Sequence, residues 1–146
     1  MTSVLRVPID SAMTRTIGLA PSAEDIEAMA HAAWARLPGE FKAHLGDVIV
    51  HVEDFAEDDL LGEMELESPY DLTGVYEGLP LTERSIDHSG TMPDRVRLFR
   101  VPILLEWAER GDETLEHLVA HVLVHEIGHH FGLSDEDMHA LEDMVG

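Results

Sequence analysis

Three residues near the end of the chain, His125, Glu126 and His129, have the types and the spacing of a hydrolytic metal site. On a helix, residues four apart lie on one face, one turn from each other, so both imidazoles could reach one metal ion. Glu126 would then point to the side of this pair and could act on a water molecule without being a ligand. The pattern, H-E-x-x-H, predicts one zinc ion per chain, held by the two histidines, with Glu126 as the general base.

Two residues after this pattern indicate how a third ligand could be supplied. Gly132 follows His125 by seven residues, and Asp135 follows it by ten. A glycine in the left-handed conformation would end the helix and reverse the chain, which would bring Asp135 back to the metal. The extended pattern is expected by chance only about 0.001 times in a chain of this length. Asp135 is therefore the predicted third ligand.

Two alternatives to this assignment stay open. Asp135 could cap the last helix instead, since aspartate is common in first turns. The third ligand could also be one of the later carboxylates, namely Glu136, Asp137, Glu142 or Asp143.

The other histidines of this region are predicted to have no direct role at the metal. His117 and His121 continue the four-residue row backwards, but the row drifts around the helix away from the ligand pair. His121 is either a group that supports the ligands or a solvated helix residue. His130 is predicted to pack or to lie at the surface, and His139 to be exposed on the last helix.

Composition excludes several classes of partner. The chain has 146 residues, no cysteine and a formal charge of −21, from 9 basic and 30 acidic residues. Disulfides and thiolate metal sites are therefore excluded. Nucleic acid and anionic membranes are not expected as partners, because both need a surplus of lysine and arginine. A basic peptide or protein segment would be attracted to this surface. The absence of a long apolar run and of an apolar leader predicts a cytoplasmic protein.

The elements that would position the site follow from apolar periodicity and turn residues. A first helix is predicted over residues 22–37, with Ser22 as its cap and Asp25 completing a capping box. Valine-rich and isoleucine-rich segments between turn residues predict three short strands, at 47–55, 71–78 and 94–101. Residues 79–94 are predicted to form a long exposed connection.

The last third of the chain is predicted to be helical. A short helix ends near Arg110, a long helix runs from a cap at Asp112 to Phe131, and a last helix is capped by Ser134. This order predicts an α+β domain, in which a small sheet of about three strands packs on helices and the H-E-x-x-H helix lies near the C-terminus. The domain is predicted to span residues 22–146 and to follow an N-terminal arm, residues 1–21.

The segment HEIGHHFGLSDED (125–137) resembles the H-E-x-x-H-x-x-G-x-x-D signature of zincin-type metallopeptidases, and more narrowly that of the small bacterial minimal zincin-like metallopeptidases. The segments GVYEGLPLTERS and MPDRVRLFRVPIL are similar to this family's glycine–tyrosine strand and P-D-R strand, so the likeness covers roughly residues 24–142. It implies a zincin-like fold with the active-site helix beneath a small sheet. It also implies that His125, His129 and Asp135 bind zinc and that Glu126 is the catalytic acid and base.

Two features of the larger relatives have no counterpart in the sequence. The methionine turn beneath the metal is missing, because Met138 and Met144 both lie in the predicted last helix. No residue stands out as the helper that stabilises the transition state; the candidates are Tyr70, Tyr76 and Arg84.

The leading hypothesis is a zinc-dependent metallopeptidase, in which Glu126 activates water and strand 94–101, if it lies at the sheet edge, holds an extended peptide substrate. The alternative is a non-catalytic zinc-binding domain, in which the metal stabilises the last two helices. A third interpretation is an acidic interaction module whose histidine row is incidental.

Overall fold

The computed structural model describes residues 18–39, 42–43, 48–78 and 94–145. The strands are β1 (Ile49–Glu53), β2 (Gly74–Glu77) and β3 (Arg95–Phe99), and the helices are α1 (Ala23–Arg36), α2 (Asp58–Glu63), α3 (Arg100–Arg110), α4 (Leu115–Phe131) and α5 (Asp135–Val145). These elements confirm the predicted α+β class with one small sheet. None of the helices in these segments has the length and hydropathy needed to cross a membrane. Most of the predicted arm and of the connection over 79–94, with Arg84, lies outside the described residues.

The three strands form one sheet in the order β1-β3-β2. β1 runs parallel to β3, with Val50 opposite Val96, and β2 runs antiparallel to β3, with Tyr76 also opposite Val96. Strand 94–101 therefore does not meet the condition for binding a substrate at the sheet edge, because β3 is hydrogen-bonded on both sides. β1 and β2 are the edges of the described sheet.

Helix boundaries follow the capping residues, with two differences from the prediction. Ser22 and Asp25 form the predicted capping box of α1. α3 begins directly at Arg100, so the third strand is shorter than predicted. The long helix is capped by Thr114 rather than Asp112, because the Thr114 hydroxyl accepts a hydrogen bond from the backbone N–H of His117 at 3.1 Å.

The main core lies between one face of the sheet and the helices α1, α4 and α5. Val96 and Leu98 of β3 are buried against α4, whose Leu118, Leu123 and Ile127 have no exposed surface. A second, smaller cluster covers the opposite face of the sheet, where Phe99, Leu60, Leu61, Leu72 and Ala56 pack together. Apolar residues therefore cover both faces of the described sheet.

Arg97 of β3 is buried on the second face of the sheet and is surrounded by carboxylates. Its guanidinium donates hydrogen bonds to Glu53 at 2.8 Å, to Glu57 at 2.5 Å and to Glu77 at 3.0 Å. These bonds join both edge strands and the start of α2 to the central strand. The hydrogen bond from Arg97 is the main reason why the pKa of Glu57 falls from 4.5 to about 2.

Replacing Arg97 by methionine is expected to lower the free energy of unfolding by about 2–4 kcal/mol at pH 7, because three carboxylates lose their common cation. The loss should be smaller at pH 3. The lowered pKa of Glu57 contributes stability above pH 4.5, and this contribution disappears as the pH falls toward 2. Urea unfolding at both pH values measures the two losses.

Arg95→Met is the matched control for this experiment. Arg95 lies on the same strand, is 45% exposed and pairs with Glu77. Its replacement should cost less than about 1 kcal/mol. Equal losses for the two variants would show that the pairs of Arg97 contribute no more than an exposed pair. A loss for Arg97→Met that does not change with pH would show that its carboxylate pairs are not the cause.

Candidate metal centre

α4 has a buried apolar face and a polar face that carries the histidines of the predicted site. Leu123, Val124 and Ile127 are fully buried, whereas His125 and His129 retain 42% and 57% of their side-chain surface. The helix rotation that buries its apolar residues therefore directs both histidines outward. This rotation follows from the apolar periodicity of the sequence.

The predicted trio converges on one point. Among the described residues, one group of three metal-binding side chains has ligand atoms that all lie within 4.8 Å of one another, and it consists of His125, Glu126 and His129. The Glu126 carboxylate lies 3.7 Å from Nδ1 of His125 and 4.0 Å from Nδ1 of His129. The two imidazole rings meet edge to face, with centroids 4.3 Å apart. This donor set of nitrogen and oxygen atoms suits a zinc ion.

Glu126 is the most deeply buried member of the trio, with 15% of its side chain exposed. Burial raises its pKa from 4.5 to about 7, because a carboxylate loses the solvation of its charge. A carboxyl group with this pKa can both take up and release a proton near neutral pH, as a general base must. A cation placed beside it would favour the charged form.

Burial also lowers the pKa of His125, and the nearby His129 and His121 lower it further, whereas Glu142 and Asp135 act in the opposite direction. A lowered pKa keeps the imidazole neutral, which is the form that binds a metal ion.

The turn after α4 has the predicted geometry. Gly132 adopts φ 68°, and its N–H bonds the carbonyl of His129 at 3.1 Å, while the N–H of Leu133 bonds the carbonyl of Gly128 at 2.9 Å. Glycine adopts this left-handed conformation without steric cost. Ser134 caps α5, as predicted, by accepting a hydrogen bond from Asp137 N–H at 3.2 Å.

Asp135 is the first residue of α5 and is exposed. α5 packs closely on α4, because Gly128 has no Cβ; a Cβ there would lie 2.6 Å from atoms of Met138. The turn therefore returns the chain toward the histidines, although Asp135 is not in the trio whose ligand atoms converge. Its role as third ligand remains a prediction.

A cleft of about 180 Å³ opens beside the trio. It lies between α3, α4 and the residue before β2, and it is lined by Thr73, Glu106, Arg110, His121, Val122, His125 and Glu126. Arg110 is held in place by Glu106 and Glu113, each at 3.0 Å. The site is thus open to a ligand on the side where His125 and Glu126 meet solvent.

The two helper candidates among the described residues, Tyr70 and Tyr76, do not line this cleft. The hydroxyl of Tyr76 donates to Asp94 at 2.8 Å, and its ring stacks on His130, with centroids 4.2 Å apart. The ring of Tyr70 packs edge-on against Phe55. His130 is buried, in agreement with a packing role, and His139 is 75% exposed, as predicted.

Of the polar neighbours of the trio in the cleft, the sequence pointed to His121 alone, as either a supporting group or a solvated helix residue. Arg110 and Glu106 come from α3, and His121 contacts Glu142 of α5 at 2.7 Å. These neighbours depend on how three helices pack, and the only local signal was the place of His121 one turn before His125.

A comparison with known protein families identifies the family of this protein. A family model described as zincin-like metallopeptidase matches residues 45–145, more than two thirds of the chain. The protein belongs to the zincin-like metallopeptidase family. The match covers the whole described sheet, the trio and α5 of this zincin-like protein. A comparison with curated proteins gave no match.

The burial of Glu126 leads to a prediction for the metal-free zincin-like protein. Its folded-state pKa of about 7 lies above the ordinary 4.5, so its contribution to stability is complete below pH 4.5 and is lost as the pH rises through 7. Glu126→Gln removes this titration. Between pH 4.5 and pH 8, the free energy of unfolding of wild type should fall by about 2–3 kcal/mol more than that of the variant.

Urea unfolding with a chelator present, at both pH values, measures this difference. Glu116→Gln is the matched control, because Glu116 is an exposed carboxylate in the first turn of the same helix. If Glu126→Gln and wild type show the same pH dependence, the burial of the Glu126 carboxyl does not affect its titration.

Proposed function

We propose that the protein is a zinc-dependent peptidase in which Glu126 is the general base. The observation that carries this proposal is the half-exposed histidine pair with a buried carboxylate beside it, at the wall of an open cleft. A structural zinc site has no need of such a carboxylate or of an open approach. Membership of the zincin-like metallopeptidase family supports the same function.

His125 and His129 would hold the zinc, with Asp135 as third ligand. Three protein ligands leave one position open, which is the arrangement of catalytic zinc sites. The short turn through Gly132, which returns the chain toward the histidines, supports this choice. Zinc bound here would supply Lewis acidity toward water and toward the carbonyl oxygen of a substrate.

The reaction adds water across a peptide bond. The oxygen of the water joins the carbonyl carbon, and Glu126 takes one of its protons. Glu126 then passes this proton to the peptide nitrogen as the C–N bond breaks, which regenerates the carboxylate. A carboxyl group with a pKa near 7 is suited to both transfers.

An extended substrate would bind along β2. This strand is an edge of the described sheet, packs on α4 and directly follows Thr73 of the cleft. An extended peptide can add to a sheet as a further strand through main-chain hydrogen bonds. The surplus of 21 negative charges favours a basic peptide, because such a surface attracts cations.

The ligand assignment predicts the zinc affinity of two variants. Asp135→Ala should weaken zinc binding at least about 100-fold, because two histidines alone hold the ion poorly. Asp137→Ala is the matched control: Asp137 is an exposed aspartate in the same turn of α5. Competition with a chromophoric chelator measures both affinities. Equal affinity of Asp135→Ala and wild type would assign the third ligand elsewhere.

The catalytic assignment predicts that Glu126→Gln keeps one zinc per chain and loses hydrolysis by about 10²–10⁴-fold. The assay uses zinc-loaded protein and a library of quenched fluorescent peptides that includes lysine-rich and arginine-rich members. Glu116→Gln should retain wild-type rates. Wild-type rates in Glu126→Gln would exclude this residue as the base, and zinc binding without hydrolysis by wild type would favour the structural zinc domain.

A further inference from the structure

The wall of the cleft that α3 supplies carries a carboxylate with few contacts. Glu106 lines the cleft, and 35% of its side chain is exposed. Its Oε2 lies 3.0 Å from Nη2 of Arg110, and this ion pair is the one polar contact of the Glu106 side chain within the described segments. A carboxylate can accept about four hydrogen bonds. Most of this capacity is thus open to a ligand in the cleft.

Arg110 does not compensate the charge of Glu106 alone. Nη1 of Arg110 donates a hydrogen bond to Glu113 at 3.0 Å, and the Glu113 side chain is only 13% exposed. One cation therefore serves two carboxylates, which leaves one negative charge in this group of three. Glu106 lines the cleft and Glu113 does not, so the uncompensated charge acts on a ligand through Glu106.

The floor of the cleft is apolar. Val122 is the one buried residue among those that line the cleft, with 5% of its surface exposed. It packs closely on β2, because a Cβ on Gly74 would lie 3.0 Å from Cγ1 of Val122. Lysine and arginine side chains lay their aliphatic stems on apolar surface and keep the charged end in contact with water or a partner. An apolar floor with a carboxylate on the wall suits such a side chain.

The opposite wall of the cleft belongs to the metal centre. His125 and Glu126 line this wall on α4, and Thr73, which precedes the proposed substrate strand β2, also lines the cleft. A zinc ion at His125 would repel a positive side chain, so a basic side chain fits the α3 wall better than the α4 wall. A substrate residue next to the scissile bond would thus reach Glu106.

We infer that Glu106 is a specificity-determining residue, which binds the positive end of a lysine or arginine side chain next to the scissile bond, while Val122 contacts the aliphatic stem. The inference rests on the proposed peptidase function and names one substrate position at which a basic residue is selected. The total charge of the protein attracts basic segments but selects no position. An acidic side chain is disfavoured, because Arg110 already serves two carboxylates.

The first test compares N-acetylated quenched fluorescent peptides of one sequence, in which each position in turn carries lysine, norleucine or glutamate. Norleucine keeps the aliphatic stem of lysine and lacks the charge. The assay uses zinc-loaded protein at pH 8, where an ordinary histidine is neutral, and mass spectrometry locates the cleaved bond.

At one position beside the cleaved bond, the kcat/KM of wild type should be about tenfold higher for lysine than for norleucine, because a hydrogen bond between charged groups is gained. Glu106→Gln should bring this ratio to within about threefold of unity. Sodium chloride at about 0.5 M should also lower the wild-type ratio, because salt screens a partly exposed ion pair.

Glu109→Gln is the matched control, because Glu109 is an exposed carboxylate of the same helix that does not line the cleft. It should keep the wild-type ratio. Arg110→Gln removes the cation beside Glu106 and should keep or raise the ratio. An unchanged lysine preference in Glu106→Gln overturns the inference and leaves the peptidase function standing. A wild-type preference for glutamate that Arg110→Gln abolishes does the same.

A second readout needs no turnover and uses zinc-loaded, nitrogen-15-labelled Glu126→Gln protein. N-acetyl-lysine methylamide should shift the backbone signals of Glu106 and Val122 at concentrations at least about fivefold lower than N-acetyl-norleucine methylamide. Adding Glu106→Gln should remove this difference.

The outcomes of this titration separate the two proposals. A difference that depends on Glu106, together with zinc-loaded wild type that cleaves no peptide, supports the binding site for basic side chains and contradicts the peptidase function. Equal binding of the two blocked compounds overturns the inference. Tighter binding of norleucine methylamide with a free amino group than of the blocked lysine compound also overturns it, because the site would then select an N-terminus.

Discussion

The burial of the apolar face of α4 is the constraint on which the rest of the structure depends. Leu118, Leu123 and Ile127 pack between the sheet and α1, and this fixes the rotation of the helix about its axis. A helix has only one rotation that buries a given stripe. The directions of His125, Glu126 and His129 are therefore set by residues that have no chemistry of their own.

The side chains of Arg97 and Glu126 are both largely removed from water, and the fold treats the two charges in opposite ways. Arg97 is surrounded by three carboxylates, which compensate its charge and connect all three strands. Glu126 is buried beside two histidines, and desolvation is the cause of its raised pKa. The first arrangement stabilises the sheet. The second leaves a carboxyl group with a raised pKa beside the histidines, at a cost in stability that a bound cation would offset.

Local features of the site could be read from the sequence. The capping box at Ser22, the left-handed turn at Gly132 and the cap at Ser134 each involve residues within a few positions of one another. Helix periodicity sufficed to place His125 and His129 on one face. The α+β class followed from the order of the elements.

Features that depend on long-range packing could not be read in this way. The central place of β3 is decided by pairing with both β1 and β2, and a strand sequence alone does not state its neighbours. The cap at Thr114 was missed because Asp112 is an equally good capping residue by type. The contact of His121 with Glu142 joins two helices across 21 positions, and no periodicity connects such residues.

The topology of the sheet has a consequence for the order in which the molecule folds. Val50 pairs with Val96, so a loop of more than 40 residues must close before the central strand has its parallel neighbour. The contacts between α4, the Gly132 turn and α5 join residues close in sequence. Contacts of low sequence separation form faster than those that need a long loop to close. The histidine helix and its turn are thus expected to form before the sheet, with their polar face exposed to ions throughout folding.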